Sequence, residues 1–138
     1  MRTVTQPSSA ANQRLSTLRR ALLEGALQGI QGEKRFGLYV LVNPQQDPAP
    51  RLAVVQALAI RQKWTAAIHA FDLTSPTDPA TRPQLAQLLT AIRQREIHGI
   101  AAASRLDISD DDQEYEAMLH PLRALGAGLA LACEETAL

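Results

Sequence analysis

Residues 36–42, Phe-Gly-Leu-Tyr-Val-Leu-Val, limit what this chain can fold into more than any other stretch. The run has strand length, is rich in β-branched and aromatic residues, and ends at the turn pair Asn43-Pro44. A strand this apolar is buried on both faces, as in a parallel sheet covered by helices. Everything after it reads as alternating helix and strand. The fold class expected is therefore α/β: three layers around a mostly parallel four-stranded sheet. In such sheets the working site lies just past the carboxyl ends of the strands, which directs attention to Asn43 and its neighbours.

Periodicity places the other elements. Leu15, Leu18, Leu22, Leu23, Ala26, Leu27 and Ile30 recur at three- and four-residue steps, predicting an amphipathic helix over 10–32. Leu52, Val55, Leu58 and Ala59 give a helix up to about Lys63, and Thr65–Phe71 a second strand. Residues 72–82 are a turn-forming loop rich in Pro, Ser, Thr and Asp. Pro83 suits the first turn of the next helix, carried by Leu85, Leu88, Leu89 and Ile92. Residues 99–103 form a third strand of small residues, crowded by helices. The acidic run Asp110–Asp112 suits the start of a helix, where carboxylates offset the dipole. Pro121 is expected to kink or divide that helix. Gly126 ends it, and a fourth strand runs from Gly128 through Cys133. Three segments result: a disordered polar tail (1–9), the N-terminal helix (10–32) and an α/β domain (33–138).

Composition excludes several classes. Lys+Arg and Asp+Glu both number 14, so the net charge is zero, which argues against strong nonspecific nucleic-acid binding. The lone Cys133 has neither a disulfide partner nor metal-ligand spacing around it, and His69 reads as an ordinary strand residue. Neither a metal nor a cofactor is expected, and the setting expected is reduced and cytoplasmic. No apolar run reaches membrane-spanning length, and residues 1–10 lack the apolar core of a secretory signal.

Three motifs in order carry a resemblance. They are Arg82-Pro83-x-Leu85-x-x-Leu88-Leu89, then residues 100–106 (Ile-Ala-Ala-Ala-Ser-Arg-Leu), then residues 122–129 (Leu-Arg-Ala-Leu-Gly-Ala-Gly-Leu). Together with Tyr39-Val40-Leu41-Val42-Asn43, they make residues 35–133 similar to the catalytic domain of serine recombinases, the resolvase/invertase family. The resemblance implies strand order 2-1-3-4 and a chemistry of DNA strand exchange. It also shows where the chain departs from the family. The family's nucleophilic serine falls on Asn43, and a carboxamide is no nucleophile at neutral pH. The arginine that helps bind the scissile phosphate falls on Leu41. In the family's Asp-Arg-Leu-x-Arg motif, the Asp falls on Ser104 and the last Arg on Ile108. Only Arg82 and Arg105 keep their places. Phosphoryl transfer depends on clustered positive charge. The expectation is therefore a domain without catalytic residues, acting as a protein-interaction or regulatory module and linked to DNA recombination or a mobile element. The alternatives are a DNA-associated accessory factor with weak phosphate contacts, and a small-molecule or anion binder at the strand ends.

Family members continue into a long dimer helix and a DNA-reading domain, and the sequence through Leu138 has neither. The N-terminal helix is then the expected dimer element, with Leu15, Leu18, Leu22 and Ile30 at the interface; the alternative is that its stripe packs on the sheet face that three crossover helices leave short of cover. Homodimers, weak or no DNA binding and no membrane contact complete the expectations.

Overall fold

Strand β1 (Arg35–Val42) is buried because strands pair with both of its edges. The computed structural model describes residues 5–74 and 81–137, with side chains from residue 10 onward. The element order is α1 (Thr5–Gln28), β1, α2 (Ala49–Gln62), β2 (Thr65–Leu73), α3 (Pro83–Arg93), β3 (Gly99–Ala102), α4 (Asp112–Ala124) and β4 (Gly128–Leu131). All pairings are parallel, in the order β2-β1-β3-β4, as the sequence predicts.

The pleat divides the core in two. Phe36, Leu38, Val40 and Val42 of β1 face α2, whose Val55, Leu58 and Ala59 cover them. Tyr39 faces the other way, toward Leu85 and Leu88 of α3 and Tyr115, Leu119 and Leu122 of α4. On β3 and β4 the larger residues Ile100, Leu129 and Leu131 also take the α3/α4 side. The α2 side of those strands holds Ala101 and Ala130, with Ala103 and Ala132 beyond them. One face is thus filled by two helices and large side chains, while the other is paved with alanine toward β4.

Helix α1 does not stand apart from this domain. Leu15 is fully buried in the α3/α4-side core, and Leu18 and Leu22 are half-buried against it. Leu23 and Leu27 reach the α2 side, so α1 runs along the β4 edge and touches both faces. The approach is close: a Cβ on Gly128 would lie 2.9 Å from the Cα of Leu23. Arg19 also donates to the main-chain oxygen of Leu129 on β4 (3.2 Å). An open strand edge presents unpaired backbone groups, and a covering helix removes that liability. Helix α1 is therefore packed against the sheet across the division read at residue 33. Leu15, read as an interface residue, is spent inside its own chain, because the sheet is short of helix where α1 lies. Ile30 is half-buried and lines a cavity of about 240 Å³ with Arg95 and His98.

Other differences are local. Residues 5–9, assigned to the tail, belong to α1, and Pro7 falls in its first turn, where no N–H is required; residues 1–4 lie outside the described residues. Of the 72–82 loop, residues 75–80 also lie outside them. β2 extends to Leu73, and β4 ends at Leu131 rather than Cys133. Helix α4 passes through Pro121 undivided, because proline near the helix end removes only one late hydrogen bond. Gly126 at φ +70° closes α4, with Gly126 N–H to Arg123 O and Ala127 N–H to Leu122 O. Lys63 and Arg95 adopt the same left-handed conformation after α2 and α3, at φ 62° and 61°.

Docking of α1 has a measurable consequence. Leu15→Ala should lower unfolding free energy by about 2–5 kcal/mol, the usual range for a fully buried leucine, read as a fall in the urea midpoint. A loss within about 0.5 kcal/mol, typical of surface positions, would show that α1 is not part of the core.

Candidate functional site

β1 outruns β3. Their pairing ends at Tyr39 and Ala102, so the N–H of Leu41 has no strand partner on that side. The carboxylate of Asp107 takes the strand's place, accepting from Leu41 N (2.9 Å), Ala103 N (3.0 Å) and Ser104 N (3.0 Å). Arg51 of α2 donates to both of its oxygens, at 2.7 and 2.8 Å. Asp107 is 1% exposed. It sits in a 3₁₀ turn, Arg105–Asp107, that reverses the chain after β3. This carboxylate is the hub of the strand ends.

Of the two arginines that the resemblance keeps in place, Arg82 reaches the main chain of Asp107 and Arg105 turns to other partners, and both are used internally. Arg82, buried at the start of α3, donates to the main-chain oxygen of Asp107 (2.8 Å). Arg105 is 4% exposed. Its Nε donates to Ser109 O (3.1 Å), and its NH1 to Asn12 Oδ1 (2.7 Å) and Asp112 Oδ1 (2.8 Å). Its guanidinium lies over the Tyr115 ring, 4.7 Å from the centroid. The acidic run thus works twice: Asp111 caps α4 by accepting from Glu114 N, and Asp112 neutralises Arg105.

The four positions where the resemblance marks a departure differ in their surroundings. Asn43 is exposed, and its Oδ1 accepts from Gln45 N (3.2 Å) in a local Asx turn. Leu41 is half-buried, and Ile108 is fully buried in the core. Ser104 is buried, and its Oγ accepts from Leu106 N (3.2 Å). Ser109 Oγ donates to Glu114 and accepts from Asp111 N. Neither hydroxyl is hydrogen-bonded to a histidine among the described residues.

A neighbouring carboxylate organises α3. Arg82 precedes the helix without capping it. Asp72, at the end of β2, accepts instead from Gln84 N (3.0 Å) and Leu85 N (2.9 Å) and from the hydroxyl of Tyr39 (2.9 Å). Burial, together with the carboxylate of Asp72, pushes the Tyr39 phenol up.

A second buried cluster lies where α1 meets α4. Glu135, fully buried, accepts at Oε2 from Arg19 Nε (2.7 Å) and from the Tyr115 hydroxyl (2.6 Å). Burial raises the Glu135 carboxyl, but the hydrogen bonds from Arg19 and Tyr115 outweigh it and hold the group below the usual glutamate value. The Tyr115 phenol is pushed up by burial and by the charge of Glu135.

Among the described residues no group of three His, Cys, Asp and Glu side chains is placed to hold a metal ion. No helix among them is long and apolar enough to cross a membrane.

No protein-family model and no curated protein matches the sequence. Solved structures do match. The N-terminal catalytic domain of TP901-1 integrase aligns over 72% of this chain and 77% of that one, at 11% identity and a TM-score of 0.64. The C-terminal catalytic domain of ISC1926 TnpA, an IS607-like serine recombinase, aligns over 71% and 70%, at 13% identity and 0.63. A serine recombinase from Sulfolobus solfataricus aligns over 74% and 70%, at 17% identity and 0.54. This is the fold of serine recombinase catalytic domains. The resemblance read from the three motifs and the likeness in three dimensions therefore agree on architecture.

Asp107 had a local signature, since Ser104-x-x-Asp107 is the spacing of a capping box. Its partner Arg51 lies 56 residues away, and Arg19 lies 116 from Glu135, so no local pattern announced either pair.

Two outcomes follow. Asp107→Asn should destabilise the fold by about 3–5 kcal/mol, because it leaves Arg51 facing a neutral group at a part-buried site; chemical denaturation checks this. The lowered Glu135 pKa contributes stability that is fully present above the ordinary value of 4.5 and is lost as pH falls through it and below. The acid limb of stability against pH should therefore be shallower in Glu135→Gln than in the parent chain. Parallel limbs would exclude Glu135 as a contributor.

Proposed function

We propose that this chain is a serine-recombinase-like domain that does not carry out strand exchange and acts through contacts with protein. The observation that carries the reading is what occupies the strand ends. Exposed Asn43 stands where the resemblance places a nucleophile. The two arginines at family positions are buried with their donors turned inward, on Asp107 O for Arg82 and on Ser109, Asn12 and Asp112 for Arg105. Transition-state stabilisation of a phosphodiester needs donors free to reach it. A serine nucleophile also needs a hydroxyl at hand, and the Ser104 oxygen is occupied with Leu106 N.

The structural neighbours are a catalytic domain of an integrase and serine recombinases. That likeness supports a role in the same area of biology, the rearrangement of DNA, with this chain as an interacting or regulatory component. The accessible arginines of α1 add little affinity for DNA, since Arg14 pairs with Glu116 and Arg20 with Glu134.

The test is incubation with supercoiled DNA under conditions that trap a covalent protein–DNA adduct. None should form, and Asn43→Ser alone should form none, because Leu41 and Ile108 still replace arginines. An adduct on any serine of this chain would sink the proposal. Equilibrium DNA binding at physiological salt should be no tighter than about micromolar, the strong end of nonspecific affinity. Nanomolar, sequence-dependent binding would point instead to a DNA-associated factor.

A further inference from the structure

We propose that the recess between α1 and α2 binds a small amphipathic anion, an aliphatic monocarboxylate of medium chain length. The recess lies over the alanine-paved part of the sheet and measures about 320 Å³. That is room for about ten water molecules at their share of liquid volume, and it stands at the small end of ligand pockets. A phospholipid or a nucleotide is too large for it. Ala130 and Ala132 form the floor, and Leu23 and Leu27 of α1 and Leu58 of α2 form the walls. Trp64 also lines the recess, with its ring stacked on Phe36 at 4.1 Å between centroids and 12° between planes. That stacking fixes the indole and takes one of its faces. The apolar surface left to a ligand is therefore mainly methyl and methylene, which suits an alkyl chain better than a further ring.

The charges select the head group. Three arginines line the recess, Arg19, Arg20 and Arg61, with the one carboxylate of Glu134. Glu134 is taken by Arg20. Arg19 is 3% exposed, and its Nε donates to Glu135 and its NH1 to Leu129 O. Its NH2 lies 3.6 Å from Glu134, beyond hydrogen-bond distance. Arg61, in the last turn of α2, is exposed and has no ion-pair partner among the described residues. Three arginines thus stand against two carboxylates, Glu134 and Glu135, and one positive charge is left over beside an apolar recess. A carboxylate answers that excess: it pairs with Arg61, and the Arg19 NH2 adds to the positive field it enters. The alkyl chain meanwhile displaces water from the alanine floor. A neutral amphipath leaves Arg61 unpaired, and a cationic one meets like charge.

None of the strand-end positions marked by the resemblance lines this recess. The proposal therefore does not rest on the loss of strand exchange, and either can fail alone.

Trp64 is the only tryptophan of the chain, so its fluorescence reports on the recess itself. Titrating the full chain with octanoate should change that fluorescence saturably, with half-saturation below about 1 mM, as expected of a ligand this small. Octanol carries the same chain without the charge and should bind at least about ten-fold more weakly, the loss of one charge-assisted hydrogen bond. Octylammonium and acetate should give no saturable change. Arg61→Gln should raise the half-saturation for octanoate about ten-fold and leave that for octanol in place. Because Arg61 is exposed, the thermal unfolding midpoint of the variant should match the parent's. No saturable change with octanoate up to about 1 mM overturns the proposal. So does octanol or octylammonium binding as tightly as octanoate, or an Arg61→Gln protein that binds octanoate unchanged.

Discussion

A four-stranded parallel sheet in the order β2-β1-β3-β4 cannot be covered evenly by its own crossovers. The step from β1 to β2 moves one way across the sheet; the steps from β2 to β3 and from β3 to β4 move the other. Right-handed connections then send α2 to one face and α3 and α4 to the opposite one. The side chains follow this asymmetry. Tyr39, Ile100, Leu129 and Leu131 fill the two-helix face, and Ala101 and Ala130 lie under the other. Helix α1 answers the shortage only in part. It closes the β4 edge and sends Leu23 and Leu27 over the alanines, and the recess between α1 and α2 is what remains uncovered.

Three ion pairs with at least one buried member tie distant segments together. Arg19 joins α1 to Glu135, Arg51 joins α2 to Asp107, and Arg105 joins the β3 exit to Asn12 on α1 and Asp112 at the start of α4. Buried ion pairs give little net stability over well-packed apolar residues, but breaking one is costly. Their effect is to fix which segments meet. α1 has no strand-crossover geometry to position it, and its apolar stripe alone would tolerate sliding along the edge. Arg19 on Leu129 O and Glu135, with Asn12 on Arg105, pins it at separate points. Satisfaction is not complete: Arg51 Nε, Arg105 NH2 and Glu135 Oε1 are buried without protein partners among the described residues.

The sheet and most helix positions were legible because each follows from a short-range pattern, and the strand order was legible only through the family resemblance. The apolar run of β1 demands flanking strands, and the heptad-like spacing of Leu85, Leu88 and Ile92 demands a helix. The placement of α1 was not legible, because an amphipathic stripe states that a face is buried and not against what. Four strands with three crossover helices leave cover short, which made packing on the sheet one of two readings of the stripe; the contacts of Leu15, Leu23 and Leu27 place part of it there. The end of α2 was legible at about Lys63 from periodicity, whereas the left-handed residues there and after α3, Lys63 and Arg95, were hidden, since sequence usually signals that conformation with glycine. At the strand ends the substituted positions were visible one by one. What they do together was not, because Asp107 is tied to Arg51 and to Leu41 across long stretches of chain.

Asp107 also decides what the strand ends can accept. A phosphodiester arriving there would meet a buried carboxylate already balanced by Arg51. To bind the anion, Arg51 would have to leave Asp107, abandoning a charge that is 1% exposed. Arg51 itself is 33% exposed, but its departure would leave the buried Asp107 carboxylate without its charged partner, which is costly. Arg105 is held more tightly still, between the Tyr115 ring, Asp112, Asn12 and the Ser109 carbonyl, so turning it outward would loosen α1 and α4 together. The strand-end arginines are therefore coupled to the packing of the fold. Placing a hydroxyl at residue 43 would leave that coupling untouched, because Asn43 is exposed and bonded only locally, to Gln45 and Gln46.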